Sequence, residues 1–485
     1  MVRIFAVFNV LSVVIMAFAL CMIFPLACSF AMGDNAQTAY DEAVLVTALA
    51  GALLWAVTQK RRRELQPRDG FLLVALVWTI LPAFATLPLL FYLPELSFTD
   101  AYFEAVSGLT TTGATVLSGL DKLPPSINIW RTFLIWIGGM GVIVLAVAIL
   151  PLLGVGGSQM YKAETPGPMK DTKLTPRIAE TAKGLWLVYV MITAACLLCF
   201  RIAGMNWVDA MMHAFSTIGL GAFSSHDASF GYWNSPAVEA VAIYFMLLAG
   251  INFGTHFLAW RRWSLAPYAR DPEAGLYLLA VIGSVFGIAY FLLANQTYAN
   301  FWTALRFSAF NVVSIATTTG FSNTDFNLWP VFAPVWMLFL CSFATCSGST
   351  GGGIKMIRAE LMARQAVREM TRIIHPRALV PVKLGRVPVE NNIIFAVLAF
   401  ILMYNGSVIT MTMLLAASGL DIVTAFSAVI ACINNTGPGL GQVGPAATYA
   451  TLNDFQTWIC AIAMLLGRLE LFTLLVVFTP GFWRR

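Results

Sequence analysis

The sequence predicts an all-α membrane protein with four repeats around one central pore, plus two N-terminal transmembrane helices. Each repeat is a helix, a re-entrant pore helix and a second helix. Three observations lead to this prediction. The chain is 59% hydrophobic and only 11% charged, with a mean hydropathy of +0.78, whereas soluble domains have about a quarter charged residues. Apolar runs of about 18 residues or more recur. A short polar motif, ending in glycine in three of its four copies, recurs between them.

The recurring motif is a tetrad of residues, and three copies are evident by inspection. The first, third and fourth tetrads are Thr110-Thr111-Thr112-Gly113, Thr317-Thr318-Thr319-Gly320 and Asn434-Asn435-Thr436-Gly437. The second is divergent, and spacing sets its register. Asp100 precedes Gly113 by 13 residues, and Asp209 precedes Ala222 by the same 13. The second tetrad is therefore Gly219-Leu220-Gly221-Ala222.

The apolar segments divide the chain into five predicted units. These are the two N-terminal helices in residues 1–66, and the four repeats in residues 67–180, 181–272, 273–386 and 387–485. The predicted long helices cover residues 4–31, 43–57, 71–93, 130–153, 184–201, 236–260, 275–293, 330–346, 391–417 and 455–478. The first is longer than the apolar core of a signal peptide, so we expect an uncleaved helix. The second long helix of the third repeat is predicted to be interrupted.

A helix-start signal precedes each tetrad. Three copies place a capping side chain three residues before an aspartate, and the third repeat has Asn300 three residues before Thr303. The three regular pairs are Ser97 with Asp100, Asn206 with Asp209, and Ser418 with Asp421. Such pairs resemble capping boxes, and acidic groups stabilise helix N-termini. A helix of about 12–16 residues rises roughly 18–24 Å, which is too short to cross the membrane core. We therefore expect re-entrant pore helices.

The positive charges predict the topology. The basic cluster at residues 60–63 places the N-terminus in the cytoplasm, and a basic segment follows each repeat. These segments contain Lys162, Lys170, Lys173 and Arg177; Arg261, Arg262 and Arg270; Lys355, Arg358, Arg364, Arg368, Arg372 and Arg377; and Arg484 and Arg485. We expect both termini to be cytoplasmic and all four tetrads to be entered from the outer face.

The tetrads suit the binding of a dehydrated cation. Inward-turned backbone carbonyls replace the hydration shell of an ion such as K⁺, and the crowded axis favours glycine. The alternative is that Gly and Thr simply permit close helix packing in a membrane. Four tetrads at near-equal spacing, each after a pore helix, favour the cation pore.

A glycine-rich loop interrupts the second long helix of the third repeat. It comprises Ser347-Gly348-Ser349-Thr350-Gly351-Gly352-Gly353, none of which has a large side chain. Non-helical backbone at membrane depth persists only inside protein or beside a wet cavity. A phosphate-binding loop is the alternative, but Ile354 replaces the required lysine and no strand precedes the loop. We expect a mobile plug beneath the tetrads.

Arg468 is predicted near the middle of the last helix, where an arginine usually faces protein interior or water. The alternatives are an ion pair with Glu470, which is disfavoured because residues two apart on a helix do not face each other, and a structural arginine bonded elsewhere. Cys196 and Cys199 indicate packing rather than redox chemistry. The four histidines show no metal-ligand spacing, and Asn252 and Gly254 are expected only to ease packing.

With the four tetrads, the glycine-rich loop and Arg468 together, the chain resembles the Trk/Ktr/HKT superfamily of potassium transporters, and within it the bacterial TrkH family. The resemblance implies K⁺ as the permeating ion, no organic cofactor, and a homodimer in the bacterial cytoplasmic (inner) membrane. It also implies a cytoplasmic ring of TrkA-like nucleotide-binding regulatory subunits and no nucleic-acid partner. Ala222 departs from the glycine that the family favours, and Gly221 is expected to absorb the extra methyl group.

The resemblance also implies roles for individual residues. The filter carbonyls would belong to Thr111, Thr112, Leu220, Gly221, Thr318, Thr319, Asn435 and Thr436, with filter glycines Gly113, Gly320 and Gly437. The intramembrane gate would comprise Ser347, Gly348, Ser349, Thr350, Gly351, Gly352 and Gly353 together with Arg468.

Two transport mechanisms remain open from the sequence. One is a gated, channel-like uptake pathway, and the other is a proton- or sodium-coupled transporter with a titratable residue along the pathway. Glu104 and Glu470 are the only nearby candidates for such a residue. An enzyme is not expected, because the sequence contains no catalytic constellation and no long polar stretch for a soluble catalytic domain.

Overall fold

The computed structural model describes residues 2–61, 66–144, 177–385 and 387–484. Among the described residues the regular secondary structure is helical, apart from one two-stranded antiparallel sheet, β1 (Lys383–Leu384) with β2 (Val387–Pro388). The predicted basic residues Arg62, Arg63, Lys162, Lys170, Lys173 and Arg485, and the end of the predicted helix at 130–153, lie outside the described residues.

The N-terminal unit contains α1 (Val2–Cys21), α2 (Ile23–Met32) and α3 (Gln37–Thr58). The single predicted helix at 4–31 is therefore divided at Met22. The break has a local cause, because Pro25 has no N–H to donate to the carbonyl of Cys21. Tyr40 anchors this unit to the first repeat, since its hydroxyl donates to the carbonyl of Ser126 at 2.9 Å.

The four repeats follow in order. The first contains α4 (Pro67–Ala85), α5 (Leu87–Tyr92), pore helix α6 (Phe98–Leu109) and α7 (Pro125–Val144). The second contains α8 (Arg177–Ile202), pore helix α9 (Trp207–Gly219), α10 (Pro236–Ala249), α11 (Phe253–Arg262) and α12 (Ala266–Arg270). The third contains α13 (Ala274–Ala294), pore helix α14 (Phe301–Ala316), α15 (Phe332–Phe343) and α16 (Met356–Ile374). The fourth contains α17 (Asn391–Ala417), pore helix α18 (Ile422–Ile433), α19 (Asp454–Arg468), α20 (Phe472–Leu475) and α21 (Pro480–Trp483).

The described chain also contains short 3₁₀ helices, mainly in the connections. They are Gln59–Arg61, Leu120–Lys122, Ser229–Tyr232, Phe326–Leu328, Gly441–Val443, Tyr449–Thr451 and Val476–Phe478.

The pore helices begin at side-chain caps, as the sequence predicts for three of them. Ser97, Asn206 and Asn300 accept the N–H of the residue three positions later, at 3.1, 2.8 and 2.8 Å. The fourth prediction, Ser418, is wrong. Asp421 is the cap of α18 and accepts the N–H of Thr424 at 3.0 Å, because the chain turns at Gly419 (φ +100°) and is extended at Asp421.

Two predicted long helices are sharply bent. The segment at 236–260 breaks between α10 and α11 with an angle of 94°, and that at 455–478 breaks after α19 with an angle of 107°. At the first break, a backbone carbonyl that would accept a helical hydrogen bond forms a tertiary contact instead. The Gly250 carbonyl accepts the N–H of Cys346 at 3.0 Å. The second occurs where Leu471 has φ +37°. Polar or charged residues lie at both breaks, Asn252 at the first and Arg468 and Glu470 at the second.

The lengths of the helices agree with an integral membrane protein. In the described residues, six helices are long and apolar enough to cross a membrane, or up to eight if each bent pair is one span. The pore helices are shorter and deeply buried. In α6, for example, every residue from Ala101 to Leu109 is buried. The fold class predicted from the sequence is confirmed.

Candidate functional site

All four tetrads have the same backbone geometry at their second residue. This residue has φ of +58°, +55°, +60° and +54°, at Thr111, Leu220, Thr318 and Asn435 respectively. Only a few per cent of residues other than glycine adopt such angles. The repetition agrees with the register inferred from spacing for the second tetrad.

The third residue of each tetrad is fixed to its own pore helix. Its N–H donates to the carbonyl five residues earlier, near the end of that helix. These bonds join Thr112 to Ser107, Gly221 to Ser216, Thr319 to Ser314 and Thr436 to Ala431, at 2.8, 3.0, 2.8 and 2.8 Å. The four loops therefore leave their pore helices in the same way.

The fourth positions of the tetrads bring the loops together. Gly113, Gly320 and Gly437 have φ of +76°, +85° and +101°. A methyl group added at these glycines would lie 2.7, 2.9 and 2.9 Å from the Cβ of Ala222. The side chain of Ala222 thus occupies the space between the other three loops. Gly221 does not adopt a left-handed φ. A backbone change at Gly221 therefore does not compensate for the methyl group of Ala222, and the ring of four loops is asymmetric.

A cavity of about 310 Å³ opens above this meeting point. Its lining includes the fourth residue of every tetrad, namely Gly113, Ala222, Gly320 and Gly437. Tyr449 also lines it and donates its hydroxyl hydrogen to the carbonyl of Gly437 at 2.9 Å. The cavity therefore ends on the ring formed by the four loops.

Two tetrads contain buried oxygens that lack a partner among the described residues. Thr111 Oγ1 and Asn435 Oδ1 form no hydrogen bond within the part of the chain that the structure describes, although both residues are completely buried. Buried oxygens normally have a partner. Both belong to the second position of a tetrad. Thr436 Oγ1, at the third position of the fourth tetrad, is likewise buried without a bond among the described residues. The Asn435 amide donates to the carbonyl of Met464 on α19 at 3.0 Å, so this side chain faces that helix.

A buried ion pair lies beside the cavity, of which Arg131 is a lining residue. Arg131 Nε donates to Glu104 Oε1 at 2.8 Å, and Arg131 Nη1 donates to the carbonyl of Ser224 at 3.3 Å. Glu104 Oε2 also accepts the N–H of Val116 at 3.1 Å. Sequence reasoning considered Glu104 but missed Arg131. An arginine within an apolar helix, the signal that identified Arg468, would have found it.

The glycine-rich loop lies directly beneath the tetrads. Thr350 Oγ1 donates to the carbonyl of Ile218 at 2.9 Å, and Gly352 N donates to Thr318 Oγ1 at 2.9 Å. A methyl group at Gly352 would lie 2.0 Å from the carbonyl oxygen of Asn434. The loop therefore contacts the second, third and fourth repeats, and has no room for larger side chains at this position.

The same loop is bonded to the bend in the second repeat. Cys346 N donates to the carbonyl of Gly250, and Phe253 N donates to the carbonyl of Gly348, both at 3.0 Å. Asn252 caps α11 by accepting the N–H of Gly254 at 2.7 Å. Asn252 thus has a defined role at the bend, beyond the packing role expected from the sequence.

Arg468 is the last residue of α19, at the bend, rather than near the middle of a continuous helix. Its Nη1 donates to the carbonyl of Thr350 at 2.9 Å, and its Nη2 donates to that of Gly138 at 3.2 Å. Glu470 pairs with Arg358 instead, at 2.8 Å. Arg468 and Glu470 therefore do not pair with each other, as expected. The reason differs from the one expected, because α19 ends at Arg468 and the two residues do not share a helix.

The comparisons with known proteins identify the family. The family model described as "TrkH: Cation transport protein" matches residues 36–484. The chain belongs to the TrkH family. The resemblance inferred from the sequence is therefore confirmed, and this is a family of transport proteins rather than enzymes.

Relatives match the chain over nearly its whole length. A Trk system potassium uptake protein TrkH from Halomonas elongata is 47% identical over 481 residues, covering 99% of both chains. The TrkH of Escherichia coli K12 is 44% identical over 480 residues, again covering 99% of both. The crystal structure of the potassium transporter TrkH from Vibrio parahaemolyticus matches with a TM-score of 0.91 and 41% identity, covering 99% of this chain and 100% of that one.

One histidine of this TrkH-family chain joins the loops that follow the first and second tetrads. His226 Nδ1 contacts the carboxylate of Asp121, while Nε2 lies 3.5 Å from Asp209 Oδ2. Its ring stacks on Tyr232 with centroids 3.5 Å apart. Burial opposes the charged form, but the carboxylates of Asp209 and Asp121 outweigh burial and raise the pKa of His226 above 6.5.

We expect the contribution of His226 to stability to depend on pH. A raised pKa in the folded state means that the stabilisation is fully present below the unfolded pKa of 6.5 and is lost as pH rises through the folded pKa. His226→Asn should therefore lower the free energy of unfolding most at about pH 5 and least at about pH 9. Unfolding in detergent at several pH values measures this, with His375→Asn as control. A pH-independent effect of His226→Asn would contradict it.

Proposed function

We propose that this chain is the membrane subunit of a potassium uptake system in the bacterial inner membrane, and that K⁺ crosses through its centre by a channel-like route. One observation supports this most strongly. Four loops of equal backbone geometry meet beneath one outer cavity, and two of them have buried oxygens without a protein partner among the described residues. The names of the relatives, which are potassium uptake proteins, agree with it.

The proposed filter consists of backbone carbonyls from the second and third tetrad residues. They belong to Thr111, Thr112, Leu220, Gly221, Thr318, Thr319, Asn435 and Thr436. The left-handed angle at the second position ends the pore helix, and the next N–H bonds back to a carbonyl of that helix. Carbonyl groups in such a ring supply several oxygens to one ion without adding fixed charge.

Channel-like flux is favoured over proton or sodium coupling. Coupling needs a titratable group along the pathway, and Glu104 and Glu470 are the candidates near the tetrads. Each carboxylate is bonded to an arginine, Glu104 to Arg131 and Glu470 to Arg358. Protonating either carboxylate would remove the negative charge that it presents to a buried arginine, so neither group suits a proton carrier.

The proposed gate is the glycine-rich loop together with Arg468. The loop lies beneath the tetrads, and Arg468 donates to its Thr350 carbonyl at 2.9 Å. The guanidinium also opposes a passing cation. At about 6 Å and an effective dielectric constant near 20, two unit charges repel by about 3 kcal/mol. Contact and charge both favour the closed state.

The proposed assembly is a homodimer in the lipid bilayer, bound to a cytoplasmic ring of TrkA-like nucleotide-binding subunits and without nucleic acid. Both termini are placed in the cytoplasm by the distribution of positive charge. Exposed arginines on and after α16, among them Arg372 and Arg377, offer a basic face to such a ring. The same charges also suit anionic lipid.

The filter proposal predicts a loss of selectivity when a tetrad glycine gains a side chain. Gly113→Ser and Gly320→Ser should weaken the preference for potassium over sodium, because added methyl groups would lie 2.0 Å from Ala222 N and 1.8 Å from the Thr436 carbonyl oxygen. Potassium, rubidium and sodium flux into vesicles containing the purified protein measures the effect. The reversal potential with and without a pH gradient tests coupling in the same assay.

Gly119→Ser is the matched control for the filter variants. Gly119 also has a left-handed φ of +71°, but a methyl group there would meet nothing within 4 Å. The preference of the Gly119→Ser variant for potassium over sodium should equal that of the parent protein. Unchanged ion preference in both tetrad variants would contradict the filter assignment.

The gate proposal predicts that Arg468→Ala increases potassium flux in the closed state. The variant removes both hydrogen bonds and the opposing charge, and a barrier lowered by about 3 kcal/mol corresponds to roughly a hundredfold. Rubidium uptake without the cytoplasmic partner is the measurement. Arg306→Ala, which removes an arginine paired with Glu239 away from the loop, is the control. If well-expressed Arg468→Ala and a deletion of the glycine-rich loop both conduct no better than the parent, the gate assignment is wrong.

The partner proposal predicts weaker binding when the basic face is reversed. Arg372→Glu with Arg377→Glu should reduce retention of a TrkA-like ring in a pull-down, because both side chains are exposed. The control is Arg261→Glu with Arg262→Glu, an exposed basic pair at the end of α11. Full retention by the first pair would place the contact on other loops.

A further inference from the structure

A carboxylate in the third repeat connects the two ends of the glycine-rich loop. Glu273 is completely buried and directly precedes α13. Its Oε2 accepts the N–H of Ser347 at 2.9 Å and the N–H of Ile357 at 3.2 Å. Ser347 is the first residue of the loop, and Ile357 is the second residue of α16. One oxygen atom therefore holds two backbone positions on opposite sides of the loop.

Both bonds satisfy backbone N–H groups that have no helical acceptor, because the glycine-rich loop interrupts the helix. The first N–H groups of a helix have no intrahelical acceptor, and negative charge is stabilising there. Ile357 is in this position at the start of α16. The same carboxylate accepts from the start of the loop, where the helical pattern has ended. Hydrogen bonds to an ionised acceptor are about twice as strong as those between neutral groups.

The backbone of Glu273 is itself anchored to the second repeat. Asp271 Oδ1 accepts the N–H of Glu273 at 3.0 Å, and Asp271 Oδ2 accepts the hydroxyl hydrogen of Thr255 at 2.6 Å. Thr255 lies on α11, directly after the bend that also bonds to the loop. The backbone of Glu273 is thus held from a second direction, so the residue is anchored independently of the loop.

We propose that Glu273 is a positioning residue for the gate, and that it stabilises the closed state by holding both ends of the glycine-rich loop together. The inference rests on the gate described under the proposed function. In this proposal the two bonds to Oε2 oppose withdrawal of the loop from beneath the tetrads. Loss of the carboxylate therefore destabilises the closed state, without altering the tetrads that contact the ion.

The test compares rubidium flux through three variants in vesicles without the cytoplasmic partner. Glu273→Ala should raise closed-state flux at least about tenfold, because the variant loses two charge-assisted hydrogen bonds and one alone corresponds to roughly tenfold. Glu273→Gln should remain closer to the parent, because its amide oxygen can occupy the position of Oε2. Glu239→Gln is the control, since it removes another buried carboxylate, the partner of Arg306 on the outer side. The potassium-to-sodium preference should be unchanged in Glu273→Ala.

A fourth variant, the deletion of the glycine-rich loop, separates the two proposals. If the deletion raises flux but Glu273→Ala does not, the gate stands and the role of Glu273 is overturned. If the deletion does not raise flux, the gate itself fails. Equal increases in Glu273→Ala and Glu239→Gln would mean general destabilisation and also overturn the inference.

Hydrogen exchange keeps the inference testable if Glu273→Ala does not fold. In the full-length Glu273→Gln protein, the amides of residues 345–358 should exchange faster than in the parent, while those of the pore helices should not. An amide oxygen is a weaker acceptor than a carboxylate, so the change should be confined to the segment that Glu273 bonds. Unchanged exchange in residues 345–358 would overturn the proposal.

Discussion

The structure depends on one constraint, which is that every polar backbone group at membrane depth needs a partner inside the protein. The pore helices and the bends expose such groups, and the chain pairs them with one another. The N–H of Thr112 bonds to the end of its own pore helix, while the carbonyl of Gly250 accepts from Cys346. The interruptions are therefore mutually dependent. A break in one helix supplies the partner that a break in another requires.

This dependence explains which features the sequence could predict. The pore helices, the tetrads and the register of the second tetrad follow from local spacing, and the four equal backbone angles agree with that spacing. Hydropathy and charge predicted the fold class because they depend on composition rather than on contacts. Local patterns likewise identified Ser97, Asn206 and Asn300 as caps. Asp421 was missed because the turn at Gly419 displaces the helix start.

The features that were missed depend on contacts between distant segments. The bend at Gly250 comes at the end of an apolar run that a helix could continue, and its carbonyl is used by a residue of another repeat. The position of Arg468 at a helix end, and the pairing of Glu470 with Arg358, depend on the second bend. Glu273 showed no pattern in the sequence because its partners are backbone N–H groups, which nearly every position possesses.

The four unequal loops in one polypeptide have a consequence for how such a pore changes over time. In a ring of identical subunits, one altered codon changes every loop around the pore at once. Here an altered codon changes only one of the four loops. The methyl group of Ala222, which is surrounded by three glycines, is an example of such a change in one loop. In the filter that we propose, ion preference can therefore shift in small steps, each tolerated by three unaltered loops.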